Sequence, residues 1–111
     1  MARFTYAVLS RAVPGREEEF VAWYRDRHFA DVQRMPGVVG GKLVRLDFQR
    51  VYEIDDAPQW TLLTLYELEG NDPATIIDSI RAASGSDDMP MSDALTKAGM
   101  IQAAGHVIAG A

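Results

Sequence analysis

Between residues 3 and 10, "RFTYAVLS", Phe4, Tyr6 and Val8 alternate with Arg3, Thr5, Ala7 and Leu9, the two-residue period of a β-strand. The second row is itself largely apolar, so both faces of this strand are expected to be covered. Pro14-Gly15 interrupts the alternation and "REEEF" opens a helix, with acids in the first turn where the helix dipole favours them. Phe20, Tyr24, His28, Asp31 and Met35 then recur at spacings of four, four, three and four, one stripe of a 3.6-residue period. Pro36-Gly37 ends the helix. "VVGGKLVRLDF", 38–48, is a second strand, and the Gly40-Gly41 pair inside it predicts a bulge or a close backbone approach. "QRVYEIDDAPQ", 49–59, is a polar connection.

The clearest strand is "WTLLTLYEL", 60–68, where Trp60, Leu62, Thr64, Tyr66 and Leu68 alternate with Thr61, Leu63, Leu65 and Glu67. Gly70-Asn71-Asp72-Pro73 stops it and starts a helix over about 73–84, with Asp72 as N-cap and Pro73 at the first helical position. Ile76, Ile77 and Ile80 are its core face. "SGSDDMPM" is a loop, Ser92 to Ala98 is expected to form one or two helical turns, and "GMIQAAGHVIAGA" is a last strand. One residue is out of phase: at about 100° per residue, Phe29 falls opposite Phe20. Either the helix deforms after His28 or Phe29 meets another surface.

Strand, helix, strand, strand, helix, strand is the split βαβ order. It predicts a single α+β domain over 1–111, a ferredoxin-like βαββαβ fold with a four-stranded antiparallel sheet and both helices on one face. The other face is then bare although its residues are apolar. A homodimer through that open sheet face is the simplest way to cover it.

Composition narrows the partners. The chain has 111 residues, 48% of them hydrophobic, and a net charge of -5. No basic stripe is present to neutralise phosphates, so nucleic acid is not an expected partner. The absence of cysteine removes disulfides and thiolate metal sites. No apolar run approaches the roughly 20 residues of a membrane span, and "MARFTYAVLSRAVPG" lacks the features of a signal peptide. No membrane partner and a cytoplasmic location are expected.

The segment "EFVAWYRDRHFADVQRMPGVVGGKLVRL" resembles the dimeric α/β barrel superfamily, and within it the EthD-like and stress-responsive members. Their pattern W-Y-x-x-x-H-x-x-D-V/L-x-x-x-P-G-V is matched by Trp23, Tyr24, His28, Asp31, Val32, Pro36, Gly37 and Val38. "LLTLYEL", 62–68, is similar to the family's third strand and "MPMSDAL", 89–95, to the segment before its fourth. Where relatives often carry a proline two residues after the histidine, this chain has Ala30. The resemblance implies dimerisation into an α/β barrel. It does not choose a reaction, because such barrels include cofactor-free monooxygenases, cyclases, isomerases, haem-degrading enzymes and proteins without known activity.

His28 is the leading candidate for chemistry, since imidazole is the natural acid/base near neutral pH. Asp31, three residues on, is its neighbour on a helix. It could orient the ring as a triad carboxylate does, or the two could form a purely structural hydrogen bond. Trp23, Tyr24, Trp60 and Tyr66 are candidate walls for a planar apolar ligand, with Tyr6 a similar case on the first strand and core packing as the alternative for each. His106, among small apolar residues, is either a core or interface residue or a site residue. Metal ligation is not expected from two distant histidines, nor is any cofactor. No phosphate loop or G-x-S-x-G elbow is present.

The leading expectation is a cofactor-independent acid/base enzyme of cyclase, dehydratase or isomerase type, acting on a small apolar or aromatic substrate such as a polyketide-like compound. His28 would move a proton, Asp31 would orient it, and Tyr66 or His106 would polarise a carbonyl. The alternatives are a non-catalytic dimeric small-molecule-binding or stress-associated protein, a cofactor-free monooxygenase, and a haem degrader that would show a Soret band with haemin.

Overall fold

A computed structural model describes residues 2–54 and 59–110. Residues 55–58 of the expected polar connection and Ala111, the end of the expected last strand, lie outside it. The elements are β1 (Ala2–Ala12), a continuous helix in three parts, β2 (Val38–Arg45), β3 (Leu62–Gly70), α3 (Pro73–Ala83) and β4 (Leu95–Gly105). The three-part helix runs as α1 (Glu17–Trp23), a π-helical turn (Tyr24–His28) and α2 (Phe29–Gln33). The strands form one antiparallel sheet in the order β2-β3-β1-β4. This is the expected α+β, ferredoxin-like arrangement.

Strict alternation decides the two faces. Tyr6, Val8 and Ser10 on β1 and Leu62, Thr64, Tyr66 and Leu68 on β3 are all buried beneath the helices. They pack with Phe20, Tyr24 and Val32 from the first helix and with Ile76 and Ile80 from α3. The residues between them point the other way. Cross-strand partners Ala7 and Leu65, Leu9 and Leu63, Val44 and Leu63, and Leu9 and Ile101 make an apolar patch on that face. Val44 is 37% and Ile101 45% exposed.

Local signals set the element ends. Glu17, Glu18 and Glu19 occupy the first turn of α1. Asp72 accepts a hydrogen bond from the Ala74 amide at 3.1 Å and Pro73 stands at the first position of α3. Gly37 adopts φ +91°, and a Cβ there would stand 2.8 Å from the Ile76 side chain. This glycine therefore allows both the left-handed turn into β2 and the close seat of α3. The glycine pair in β2 marks both expected features. The register with β3 shifts between Val38 and Gly40, and a Cβ on Gly41 would crowd the Gln33 side chain and the Leu65 carbonyl.

Several boundaries differ from the sequence reading. Leu95 to Ala98 are not helical but begin β4, pairing Leu95 with Ala12 and Thr96 with Arg11. The reason is non-local: β1 runs on to Ala12, and its backbone groups need partners that this segment supplies. β2 ends at Arg45, β3 starts at Leu62, and β4 ends at Gly105, so Trp60 and His106 stand outside the strands. β4 is also irregular. Its register against β1 shifts between Leu9 and Arg11, and Gly99 in that stretch has φ +78°.

Candidate functional site

The first helix is deformed where the motif is densest. The Phe29 amide bonds to the Tyr24 carbonyl, five residues back, which is the π-type bond of an expanded turn. In a regular α-helix, residues five apart project about 140° away from each other. Here Trp23 and His28 stack, with ring centroids 4.7 Å apart and planes at 22°. The extra residue also resets the phase of α2. Phe29 turns inward and stacks on Tyr66 at 5.8 Å, so the helix does deform and the phase conflict disappears.

His28 is 8% exposed. Trp23 covers one face of its ring, and Tyr24 meets it edge-on at 4.8 Å and 89°. Trp23 is itself anchored, its indole N–H donating to the Pro90 carbonyl at 3.2 Å. Nδ1 of His28 is buried without a hydrogen-bond partner among the described residues. Burial lowers its pKa from 6.5 to about 4, with the Asp31 charge opposing the shift. The ring is therefore neutral at pH 7.

This ring lines a cavity of about 630 Å³ between the helices and the sheet, within the roughly 300–1,000 Å³ usual for small-molecule sites. Tyr6, Val8, Ser10 and Tyr66 form its sheet side and Tyr24, Val32, Ile77 and Ile80 its helix side. Ser10 is 1% exposed, and its hydroxyl, like His28 Nδ1, is buried without a partner among the described residues. Two unsatisfied buried polar groups beside one cleft are unusual, because each costs about 1–3 kcal/mol.

The tyrosines are linked. Thr64 Oγ1 donates to the Tyr24 hydroxyl at 2.9 Å, and the Tyr24 and Tyr66 hydroxyls are 3.3 Å apart. Tyr6 packs against Tyr66 at 5.7 Å. Burial pushes the Tyr6 phenol up to about 12 and raises those of Tyr24 and Tyr66 as well. All three are hydrogen-bond donors at neutral pH rather than bases.

Of the candidate residues, His28, Tyr6, Trp23, Tyr24 and Tyr66 come together on this cavity. Three others do not. Asp31 is buried, but its two oxygens accept from Arg27, at 2.8 Å, and from Arg34. No hydrogen bond joins it to His28 among the described residues. Burial opposes its ionisation, yet the two guanidiniums outweigh that and hold its pKa below the usual value. Trp60 lines a separate hollow with Leu9, Leu46 and Phe48, and its N–H donates to the Gly99 carbonyl at 3.0 Å. His106 is exposed beyond the end of β4. Among the polar wall residues that pattern reading missed is Ser10. Its signal was present: it continues the inward row Tyr6, Val8. Among the described residues no three His, Asp or Glu side chains are grouped to hold a metal, and no helix is long and apolar enough to cross a membrane.

No family model matches the chain and no curated protein does. Solved structures do. A "putative monooxygenase" from Shewanella loihica PV-4 shares 19% identity over 98% of this chain and 97% of its own, with a TM-score of 0.60. An EthD family protein from Bacillus halodurans C-125 shares 17% identity over 97% of this chain and 100% of its own, with a TM-score of 0.62. The fold is thus the ferredoxin-like one of EthD-like proteins, as the motif from Trp23 to Val38 implies. At these identities the likeness is one of fold.

Proposed function

We propose that the protein is a cofactor-independent acid/base enzyme that removes and returns a proton on a small, largely apolar or aromatic carbonyl compound. The observation that carries this reading is His28: a neutral imidazole, fixed by Trp23 and Tyr24 on the wall of a ligand-sized cavity, with Nδ1 unpartnered. A neutral imidazole accepts a proton from a carbon beside a carbonyl, and the electron pair moves onto the oxygen. The Ser10 hydroxyl or a tyrosine hydroxyl would donate to that oxygen. Return of the proton at another position gives isomerisation, and loss of water or ring closure are its extensions. A base of pKa about 4 is weak at neutral pH, but negative charge developing on a bound substrate would raise it. The name of the Shewanella neighbour suggests one continuation, in which the deprotonated substrate supplies the electrons for reaction with oxygen.

The working unit in this proposal is a homodimer, the second copy covering the open sheet face. The middle of that face carries Ala7, Leu9, Leu63 and Leu65, with Lys42 on β2 opposite Leu65 and Glu67 two residues further along β3. Such a patch suits an isologous contact.

A second reading, a dimeric binder without chemistry, is favoured by Asp31, which serves Arg27 and Arg34 instead of orienting His28. Deuterium exchange separates the two. In D2O, with aryl 1,3-dicarbonyl compounds as probes, the protein is expected to accelerate exchange at the carbon between the carbonyls. His28→Ala should lose at least about a hundredfold of that rate while keeping its circular dichroism spectrum. A folded His28→Ala protein with undiminished exchange contradicts the enzyme reading and supports the binder. Mass spectrometry of any small molecule that copurifies would then name the ligand.

A further inference from the structure

The cleft has a charge pattern that the chain as a whole does not. The sequence holds 16 Asp and Glu against 11 Lys and Arg, yet no carboxylate lines the cavity among the described residues, whereas Arg81 and Lys97 do. Both are exposed, as is their neighbour Met91, while Tyr6, Ser10, Tyr24 and His28 are buried. The two cations therefore stand at the mouth and the aromatic groups at the floor. Neither cation takes part in an ion pair among the described residues.

Lys97 reaches the cleft through an irregularity in its strand. Gln102 and Met100 face the cavity, and an unbroken two-residue alternation from them would turn Thr96 inward and Lys97 to the open face. The register shift opposite Leu9 and Arg11, with Gly99 at φ +78°, reverses this phase, so that Leu95 and Lys97 line the cleft instead. Bulges re-aim side chains in this way, and they recur beside active sites. Arg81, in the last turn of α3, also complements the helix dipole. No comparable structural role accounts for Lys97.

The geometry points to an organic acid as the ligand: an apolar or aromatic body inside the cleft and one anionic end at the mouth, held by Arg81 and Lys97. This assignment rests on the cleft being a ligand site, as proposed above, and gives that ligand its charge and its direction. The anionic end stays partly hydrated, and the carbon to be deprotonated lies at the buried end beside His28. A net negative protein would otherwise repel such a ligand, so a local positive rim also steers it.

A matched pair of dyes tests this with the intact protein. 8-Anilinonaphthalene-1-sulfonate and N-phenyl-1-naphthylamine share one ring system, and only the first carries an anionic group. The sulfonate is expected to bind about ten-fold more tightly, equivalent to ~1.4 kcal/mol, with an advantage that shrinks as salt is added. The double variant Arg81→Gln, Lys97→Gln should lose that preference and leave the uncharged dye's affinity unchanged. His28→Ala should keep the preference. Both rim residues are exposed, so folding is not at risk, and dye adsorbed on the open sheet face does not respond to them. Two dyes that bind the wild type equally, or a preference that survives the double variant, overturn the organic-acid assignment alone. If neither dye binds, the ligand-site reading falls with it.

Discussion

Each face of the sheet carries a local inversion of the usual distribution of polarity. Under the helices, where a folded chain normally places hydrocarbon, lie Ser10, Thr64, Tyr6, Tyr66 and the ring of His28, two of them with buried polar atoms left unsatisfied. On the open side, where polar residues would be expected, Leu9, Leu63 and Leu65 are only partly covered and Val44 and Ile101 are exposed. Each inversion is unfavourable in an isolated chain: unpartnered polar groups lose hydrogen bonds to water, and exposed hydrocarbon keeps its hydration. In the proposed reading, a ligand on the inner face and a second copy on the outer face would remove both penalties. On that proposal the same strands would carry recognition on alternate residues.

The largest expected effect breaks the outer half of this contrast. Leu65→Asp places a charge at the centre of the open face. Burying a leucine contributes about 1.5–3 kcal/mol, and twofold symmetry counts it twice. Sedimentation should show the dimer dissociation constant rising at least a hundredfold by that estimate. An unchanged association state means that the second copy sits elsewhere.

The inner face makes a prediction about pH. An imidazole titrates near 6.5 in the unfolded chain, whereas His28 in the folded protein does so at about 4. Between those values the unfolded chain binds the extra proton. The stability from keeping His28 neutral is therefore complete above about pH 6.5 and is lost as pH falls toward 4. The loss amounts to about 3 kcal/mol. The stabilities of wild type and His28→Gln from urea unfolding should diverge by that amount across this window. Parallel curves would mean that His28 is not desolvated.

Gly37→Ala should destabilise by about 2 kcal/mol by combining a left-handed φ with a clash against Ile76. Thermal melting checks it, and the shift should be relieved in part by Ile76→Val. Tyr24→Phe has the smallest effect. It strands the Thr64 hydroxyl and removes the contact to Tyr66, at a cost of about 1 kcal/mol. It should leave the association state untouched, which confines its effect to the inner face.

Much of the fold was legible because its signals are local. Asp72-Pro73 caps a helix and Pro36-Gly37 ends one through their own backbone chemistry, and the alternation of β3 needs no distant partner to be read. His28 was legible as inward-facing from its place in the Phe20–Met35 stripe. The features that escaped depend on contacts far along the chain. The strand at Leu95–Ala98 exists because β1 extends to Ala12, and the inward turn of Lys97 comes from that pairing. The π-helical turn left only an indirect trace, a phenylalanine out of phase. Asp31 was misjudged for an energetic reason: Arg27 and Arg34 lie four residues before and three after it, as near as His28. A permanently charged guanidinium holds a carboxylate more strongly than an imidazole that burial keeps neutral.

The central claim is that His28 stands neutral and unpartnered against a ligand cavity. Nitrogen-detected NMR of the imidazoles, with the His28 signals assigned by comparison with His28→Gln, tests it directly. The ligand-free protein should show a neutral His28 ring at pH 7 that titrates at about pH 4, and its shifts should move when 8-anilinonaphthalene-1-sulfonate is added. A His28 that titrates at or above 6.5, with Nδ1–H locked to a protein carboxylate and indifferent to the dye, would contradict the account.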